Sequence, residues 1–226
     1  MDIRHLKAKN IKGFLGDDEA EQLYHLAKQA SQFGPCLEIG SYCGKSTAYL
    51  GLGCKENGGI LFSVDHHHGS EEQQPGQEYF DSELLDKDSG LIDTFNIFRE
   101  TVRDLLLEDT VVAIVAKSEV TARLWSTPLS LVFIDGGHTF KAAFTDYTNW
   151  VSHLLPDGYL LIHDIFLDPS KGGQAPYFIY QLALSSGLFE GLSIINTLGI
   201  LKRSLHKQRK DEELNKWFKQ QINFSH

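Results

Sequence analysis

Two aspartates and a histidine carry the most chemistry in the chain. Leu131-Val132-Phe133-Ile134-Asp135 and Gly158-Tyr159-Leu160-Leu161-Ile162-His163-Asp164 are apolar runs that end in carboxylates, and His138 follows the first of them closely. In an open α/β sheet the carboxyl ends of neighbouring strands meet at the ligand crevice. Asp135 and Asp164 would supply hard oxygen ligands for magnesium or another divalent cation, with water and substrate oxygens completing the shell. His138 is then the natural proton acceptor for a hydroxyl, a poor nucleophile until a base or a cation lowers its pKa. Two plainer readings stay open. The base could work without a metal, or the aspartates could hold loops while His138 caps the next helix. His163, one residue before Asp164, is expected to point away from it by strand alternation and to play a supporting part.

A second cluster lies upstream, in Cys36-Leu37-Glu38-Ile39-Gly40-Ser41-Tyr42-Cys43-Gly44-Lys45-Ser46-Thr47. It reads as a buried strand, a glycine turn and the first turn of a helix, whose free N–H groups point into a crevice. Gly44 is expected to let the backbone approach a ligand closely. Gly44-Lys45-Ser46-Thr47 ends like a Walker A loop, and the strand before Asp135 looks like a Walker B strand. The loop is one residue short, however, because only three residues separate Gly40 from Gly44 where a phosphate-wrapping nest has four. The dinucleotide fingerprint fails as well, since Tyr42 stands where its second glycine belongs. Ile60 to Asp65 forms another strand ending in a carboxylate, one helix later. In a βαβ unit that position reaches a ribose diol, unless Asp65 only caps a loop or helix.

The E-x-G-x-x-x-G pattern after a strand resembles motif I of the class I S-adenosylmethionine (SAM) dependent methyltransferases. The set Asp135-Gly136-Gly137-His138-Thr139-Phe140, Leu154-Leu155-Pro156-Asp157-Gly158 and His163-Asp164 resembles a small-molecule branch of that family, which includes sugar O-methyltransferases of natural-product pathways. The likeness covers roughly residues 30 to 200. Asp157 stands where such turns often carry glycine, and the stretch after Asp65 has no obvious general counterpart, which leaves the substrate class open. The resemblance implies a Rossmann-like, doubly wound, mostly parallel seven-stranded sheet with helices on both faces. It implies a SAM site made of Glu38, Gly40, Ser41, Gly44, Ser46, Asp65, Lys117, Ser118 and Asp135, with Glu38 near the methionine amino group, directly or through neighbours. Lys117-Ser118 resembles the polar turn that flanks adenine. It also implies a cation on Asp135 and Asp164, with His138 as the base. A nucleotide hydrolase or kinase and a non-catalytic SAM-binding protein on the same fold are the alternatives.

These residues need an alternating scaffold to hold them. Strands are expected near 36–40, 60–65, 111–116, 131–135 and 158–163, with helices near 17–32, 45–54, 92–107, 119–126 and 140–154. Such alternation makes a parallel, doubly wound sheet. An antiparallel hairpin over 192–196 and 199–203 is implied by the resemblance. A charged helix from His206 to Phe224 carries Trp217 and Phe218, whose apolar face could meet the body or a second copy in a homo-oligomer. Residues 66–91, with His66-His67-His68 and many acidic and amide side chains, form a long loop that is functional or disordered in most compact domains. It reads as a solvated loop, a lid over the crevice, or a metal site built on the histidines. Residues 169–177 look like a second mobile border, forming a wall of the substrate pocket.

Composition bounds the rest. With 226 residues, 42% of them hydrophobic, the chain can bury one sizeable core, so a single domain is expected. A net charge of −9 disfavours a nucleic-acid partner, which needs a basic surface, and points to a small-molecule substrate. No apolar run is long enough to cross a bilayer, and the first residues lack the core of a signal peptide. A cytoplasmic protein is therefore expected. Cys36, Cys43 and Cys54 have no zinc-type spacing and read as small buried thiols.

Overall fold

The computed structural model describes residues 3–7 and 9–205. A short helix α1 (Ile3–Lys7) and α2 (Asp17–Ala30) lead into β1 (Cys36–Ile39), α3 (Lys45–Lys55) and β2 (Leu61–Asp65). Then come α4 (Phe95–Asp104), β3 (Val111–Val115), α5 (Ser118–Ala122), β4 (Leu129–Ile134), α6 (Phe140–Trp150), β5 (Leu154–Ile162), α7 (Ala175–Ser185), β6 (Phe189–Ile195) and β7 (Leu198–Arg203). The strands make one seven-stranded sheet in the order β3-β2-β1-β4-β5-β7-β6. The first five run parallel, and β7 is antiparallel to both β5 and β6. This is the expected doubly wound, mostly parallel sheet.

Alternation along the central strands feeds two cores. Leu131 and Phe133 face α2, α3 and α4, whereas Val132 and Ile134 face α6 and α7. β1 and β4 are buried along their whole length, as parallel strands covered by helices on both faces must be. Each such Leu, Val, Ile or Phe contributes about 1.5–3 kcal/mol on burial. β2 lies on one side of β1 and β4 on the other, so the connections diverge there and leave a crevice at the strands' carboxyl ends.

Some boundaries depart from expectation. The Pro156-Asp157-Gly158 segment is no turn ahead of a strand. β5 already pairs at Leu154, Asp157 adopts φ 68°, and a register shift opposite Leu129 to Leu131 absorbs the segment inside the strand. α7 begins at Ala175 within the expected mobile border, with Pro176 in its first turn, a position that proline suits. Helix α4 starts only at Phe95 because Ile92 bridges to Leu85 and Thr94 N donates to His67 O. The charged segment from His206 to Phe224 lies outside the described residues. No helix among the described residues is long and apolar enough to cross a membrane.

Candidate active site

A crevice of about 1200 Å³ opens over the carboxyl ends of β1, β2, β4 and β5. That exceeds the ~300–1,000 Å³ of a pocket for one small molecule, which leaves room for more than one. Gly40, Ser41, Ser46, Asp65, Lys117, Ser118, Asp135, His138 and Asp164 all line it. Glu38 and Gly44 do not.

The glycine turn owes its shape to protein contacts. Gly40 has φ 83°, and a Cβ there would lie 2.1 Å from the Asp135 carbonyl oxygen. Gly44 has φ 91° and starts α3, but the close approach it permits is made by Thr101 and Phe98 of α4, not by the crevice as expected. Asp65 fixes the turn to β2: its Oδ2 accepts from Ser41 N and Tyr42 N at 2.9 Å each, and its Oδ1 accepts from His67 N at 2.7 Å. Glu38 is fully buried beneath the turn, accepting from Ser46 Oγ, from Thr47 Oγ1 at 2.6 Å and from Ser63 Oγ at 2.8 Å. Burial pushes its carboxyl up to about 7 despite those hydroxyls. Glu38 therefore reaches the crevice through Ser46. Farther along, Ser118 Oγ accepts from Trp150 Nε1 at 2.7 Å, and burial raises neighbouring Asp146 to about 6.

The Ser41 hydroxyl is buried with no hydrogen-bond partner although it borders the crevice. An unsatisfied buried polar group costs about 1–3 kcal/mol. A polar ligand seated against the glycine turn would remove that cost.

Beside the glycine turn, Asp135, His138 and Asp164 each offer a ligand atom, all within 4.8 Å of one another. Thr139 caps α6 by accepting from Ala142 N at 3.2 Å, which leaves His138 free of a capping task. Asp164 takes φ 58°, a conformation costing about 1–3 kcal/mol in a non-glycine residue, and it sits two residues beyond the end of β5. Strand alternation no longer applies there. Consequently His163 does not point away from its neighbour as expected: its Nδ1 lies 3.1 Å from Asp135 Oδ1 and 3.5 Å from Asp164 Oδ1.

Glu19, on the first turn of α2, completes this network. Its Oε2 lies 3.3 Å from His163 Nε2 and accepts from Gly16 N at 2.9 Å, while its Oε1 accepts from Thr197 N and Oγ1 at 2.8 Å. Burial favours a neutral Glu19, but the bonds from His163 and Thr197 outweigh it and hold the carboxyl at about 2. Burial opposes a charged His163, yet the carboxylates of Asp135, Asp164 and Glu19 raise it well above the ordinary imidazole range. Asp164 is likewise burdened by burial and held low by bonds from His138 and His163, while Asp135 is pushed up, first by burial and also by the charge of Asp164. Burial works against the charged form of both aspartates, and the His138 and His163 imidazoles overcome it at Asp164 but not at Asp135. Two carboxylates and an imidazole with ligand atoms within 4.8 Å of one another are a donor set that suits a divalent cation.

His138 is clamped from two sides. Its Nε2 lies 2.9 Å from Asp164 Oδ2 and its Nδ1 3.0 Å from Glu72 Oε2. The bond to Asp164 raises the imidazole to about 9, burial opposes, and Glu72 adds to the rise. Glu72 belongs to the long loop after β2, which packs over the crevice and supplies residues 69–74 and 77–79 to its lining. The three loop histidines do not converge on one point. His67 is buried between Phe95 and Phe98, His68 Nδ1 lies 3.3 Å from Ile92 O, and His66 borders the crevice.

Glu19 and Glu72 were missed in the sequence. Glu19 had one local signal: an acidic third residue of a helix that caps the turn before it, a role that hides its second partner. Glu72 had none beyond the length of its loop.

A family model described as a methyltransferase domain matches residues 37–165, a little over half of the chain. Among solved structures, the O-methyltransferase NovP superposes with a TM-score of 0.64 at 15% identity, covering 84% of this chain and 81% of that one. An O-methyltransferase from Bacillus cereus, in complex with SAH, gives 0.60 at 14% identity over 89% and 88%. An rRNA methylase from Streptococcus thermophilus gives 0.53 at 12% identity over 85% and 99%. At such identities the likeness speaks for the fold and leaves the acceptor open.

Proposed function

The chain belongs to the methyltransferase-domain family, and on that premise we propose that it transfers the methyl group of SAM to a hydroxyl oxygen of a small polar molecule, assisted by a divalent cation. The carrying observation is the convergence of Asp135, His138 and Asp164 within 4.8 Å beside the glycine turn. A hydroxyl needs a base or a Lewis acid to become a nucleophile, and this cluster offers both. Asp135 and Asp164 would hold the cation, which supplies positive charge that acidifies the hydroxyl. His138 takes the proton. The oxygen attacks the methyl carbon, the C–O bond forms as the S–C bond breaks, and the sulfonium leaves as the neutral thioether SAH.

For the cofactor, Gly40, Ser41, Ser46, Asp65, Lys117, Ser118 and Asp135 border the space the methyl donor would fill, with Glu38 behind Ser46 and Gly44 shaping the turn. The unpartnered Ser41 hydroxyl supports this placement. The one-residue-short glycine loop and the family match both disfavour a nucleotide hydrolase. A net charge of −9 favours a small molecule over nucleic acid as acceptor, even though the fold is shared with an rRNA methylase.

Calorimetry with SAM, SAH and ATP tests the cofactor half. SAM and SAH are expected to bind in the low micromolar to millimolar range, about 4–8 kcal/mol. Asp65→Ala should weaken SAH by about 1.5–3 kcal/mol. Binding of ATP with no response to SAM or SAH in folded protein would refute the assignment. For the cation half, manganese titration followed by electron paramagnetic resonance should show one bound ion in the wild type and a loss of affinity in Asp164→Asn. Equal affinity in the two proteins, or full turnover in chelator, removes the metal from the mechanism.

A further inference from the structure

We infer that Glu72 is a positioning residue for His138, so that the base is correctly oriented only while the loop after β2 is seated on the crevice. The inference rests on reading His138 as the base. Glu72 Oε2 lies 3.0 Å from His138 Nδ1, the ring nitrogen on the far side from Asp164. A carboxylate there accepts the Nδ1–H and sets the ring plane, so that Nε2, on the Asp164 side at 2.9 Å from its Oδ2, is the nitrogen left to exchange a proton with the reacting hydroxyl. The tautomer and the ring plane of an imidazole are set by the partner of its other nitrogen.

The loop is built to present this carboxylate. Glu72 sits on a single 3₁₀ turn, Glu71–Gln73. Gln73 Oε1 accepts from Ser70 N at 3.0 Å, and Gln74 Nε2 donates to His68 O at 3.0 Å and to Ser70 O at 2.9 Å. Tyr79 N donates to the backbone oxygen of Glu72 at 3.0 Å. Lys12 then ties the loop to the N-terminal segment through Asp81 at 2.6 Å and Glu83 at 2.7 Å. None of these bonds uses the Glu72 carboxylate. Its side chain is 47% exposed and that of His138 28%, so the pair contributes little to folding stability. Its geometry instead serves the imidazole.

The test compares Glu72→Ala and Glu72→Gln in the full chain. With an acceptor in hand, Glu72→Ala is expected to lower kcat by about 10- to 100-fold, the usual cost of removing a group that orients an active-site imidazole. Acceptor KM and SAH affinity should stay within about two-fold. Glu72→Gln keeps an oxygen for Nδ1–H and should recover most of the loss. A second readout needs no acceptor. The ¹⁵N imidazole spectrum, recorded at a pH alkaline enough for the ring to be neutral and with His138 assigned by the signal missing from His138→Asn, should report Nδ1–H in the wild type and in Glu72→Gln, and a mixture of tautomers in Glu72→Ala. An unchanged or higher kcat in Glu72→Ala, a loss in Glu72→Gln equal to that in Ala, or an unaltered His138 tautomer in Glu72→Ala overturns the inference. If the wild type methylates nothing, the functional reading fails by itself, and the spectrum still decides whether Glu72 orients the ring.

Discussion

His138→Ala is expected to cut turnover by about 10²- to 10⁴-fold, the worth of a positioned general base, while SAH affinity stays nearly unchanged. The ring is held by Asp164 and Glu72, neither of which belongs to the set proposed to border the cofactor. Its electrostatics add a pH signature. The hydrogen bond to Asp164 raises His138 to about 9, so at neutral pH the ring carries the proton and cannot accept another. The basic form grows as pH rises through that value. In chelator, wild-type kcat should therefore climb up to about pH 9, well above the ~6.5 of an ordinary histidine. Asp164→Asn removes the partner that contributes most to the rise, so the climb should shift toward acid. Stopped-time assays across the range in both proteins measure this. A rate independent of pH between about 6 and 9, or the same midpoint in both proteins, would show that His138 is not the base.

What the sequence disclosed, and what it hid, follows from the range of the interactions. The strands that end at Asp65 or just before Asp135 and Asp164 were legible because a buried parallel strand needs an unbroken apolar run, and a carboxylate at its end marks the rim. Their neighbourhood was legible too, since strand order in a doubly wound sheet brings such ends together. The partners were not. Glu19 meets His163 across 144 residues, and Glu72 meets His138 across 66, and no local pattern encodes either pairing. His163 was misread because alternation holds only inside a strand, and the positive φ of Asp164 turns the chain just where the rule was applied. Gly44 was misread for a related reason: a left-handed glycine announces a close neighbour without saying whether it is a ligand or, as here, Thr101 and Phe98. α7 lay behind a Gly-rich, Pro-containing border whose composition resembles a loop. Pro176 in its first turn was the available signal.

Gly40→Ala should cost more stability than any surface change, about 3–5 kcal/mol, where most single substitutions cost about 1. Two causes add. The residue holds φ 83°, in the region where an L side chain is strained by roughly 1–2 kcal/mol. The new methyl would also lie 2.1 Å from the Asp135 carbonyl oxygen and 2.6 Å from its carbon. Both are backbone atoms, so no rotamer change relieves the contact. The ends of β1 and β4 must separate, which pulls Asp135 off His163 and disturbs the cation site with the fold. Gly58→Ala isolates the first cause, because Gly58 has φ 64° with nothing within 4 Å of an added Cβ. Urea unfolding of the two variants gives the comparison. Gly58→Ala should lose only the conformational share, and Gly40→Ala should fall well below it, with cation affinity reduced in whatever fraction stays folded. Equal midpoints would mean that the close passage of β1 under the Asp135 peptide carries no energetic weight, and that Gly40 is required for its dihedral angles alone.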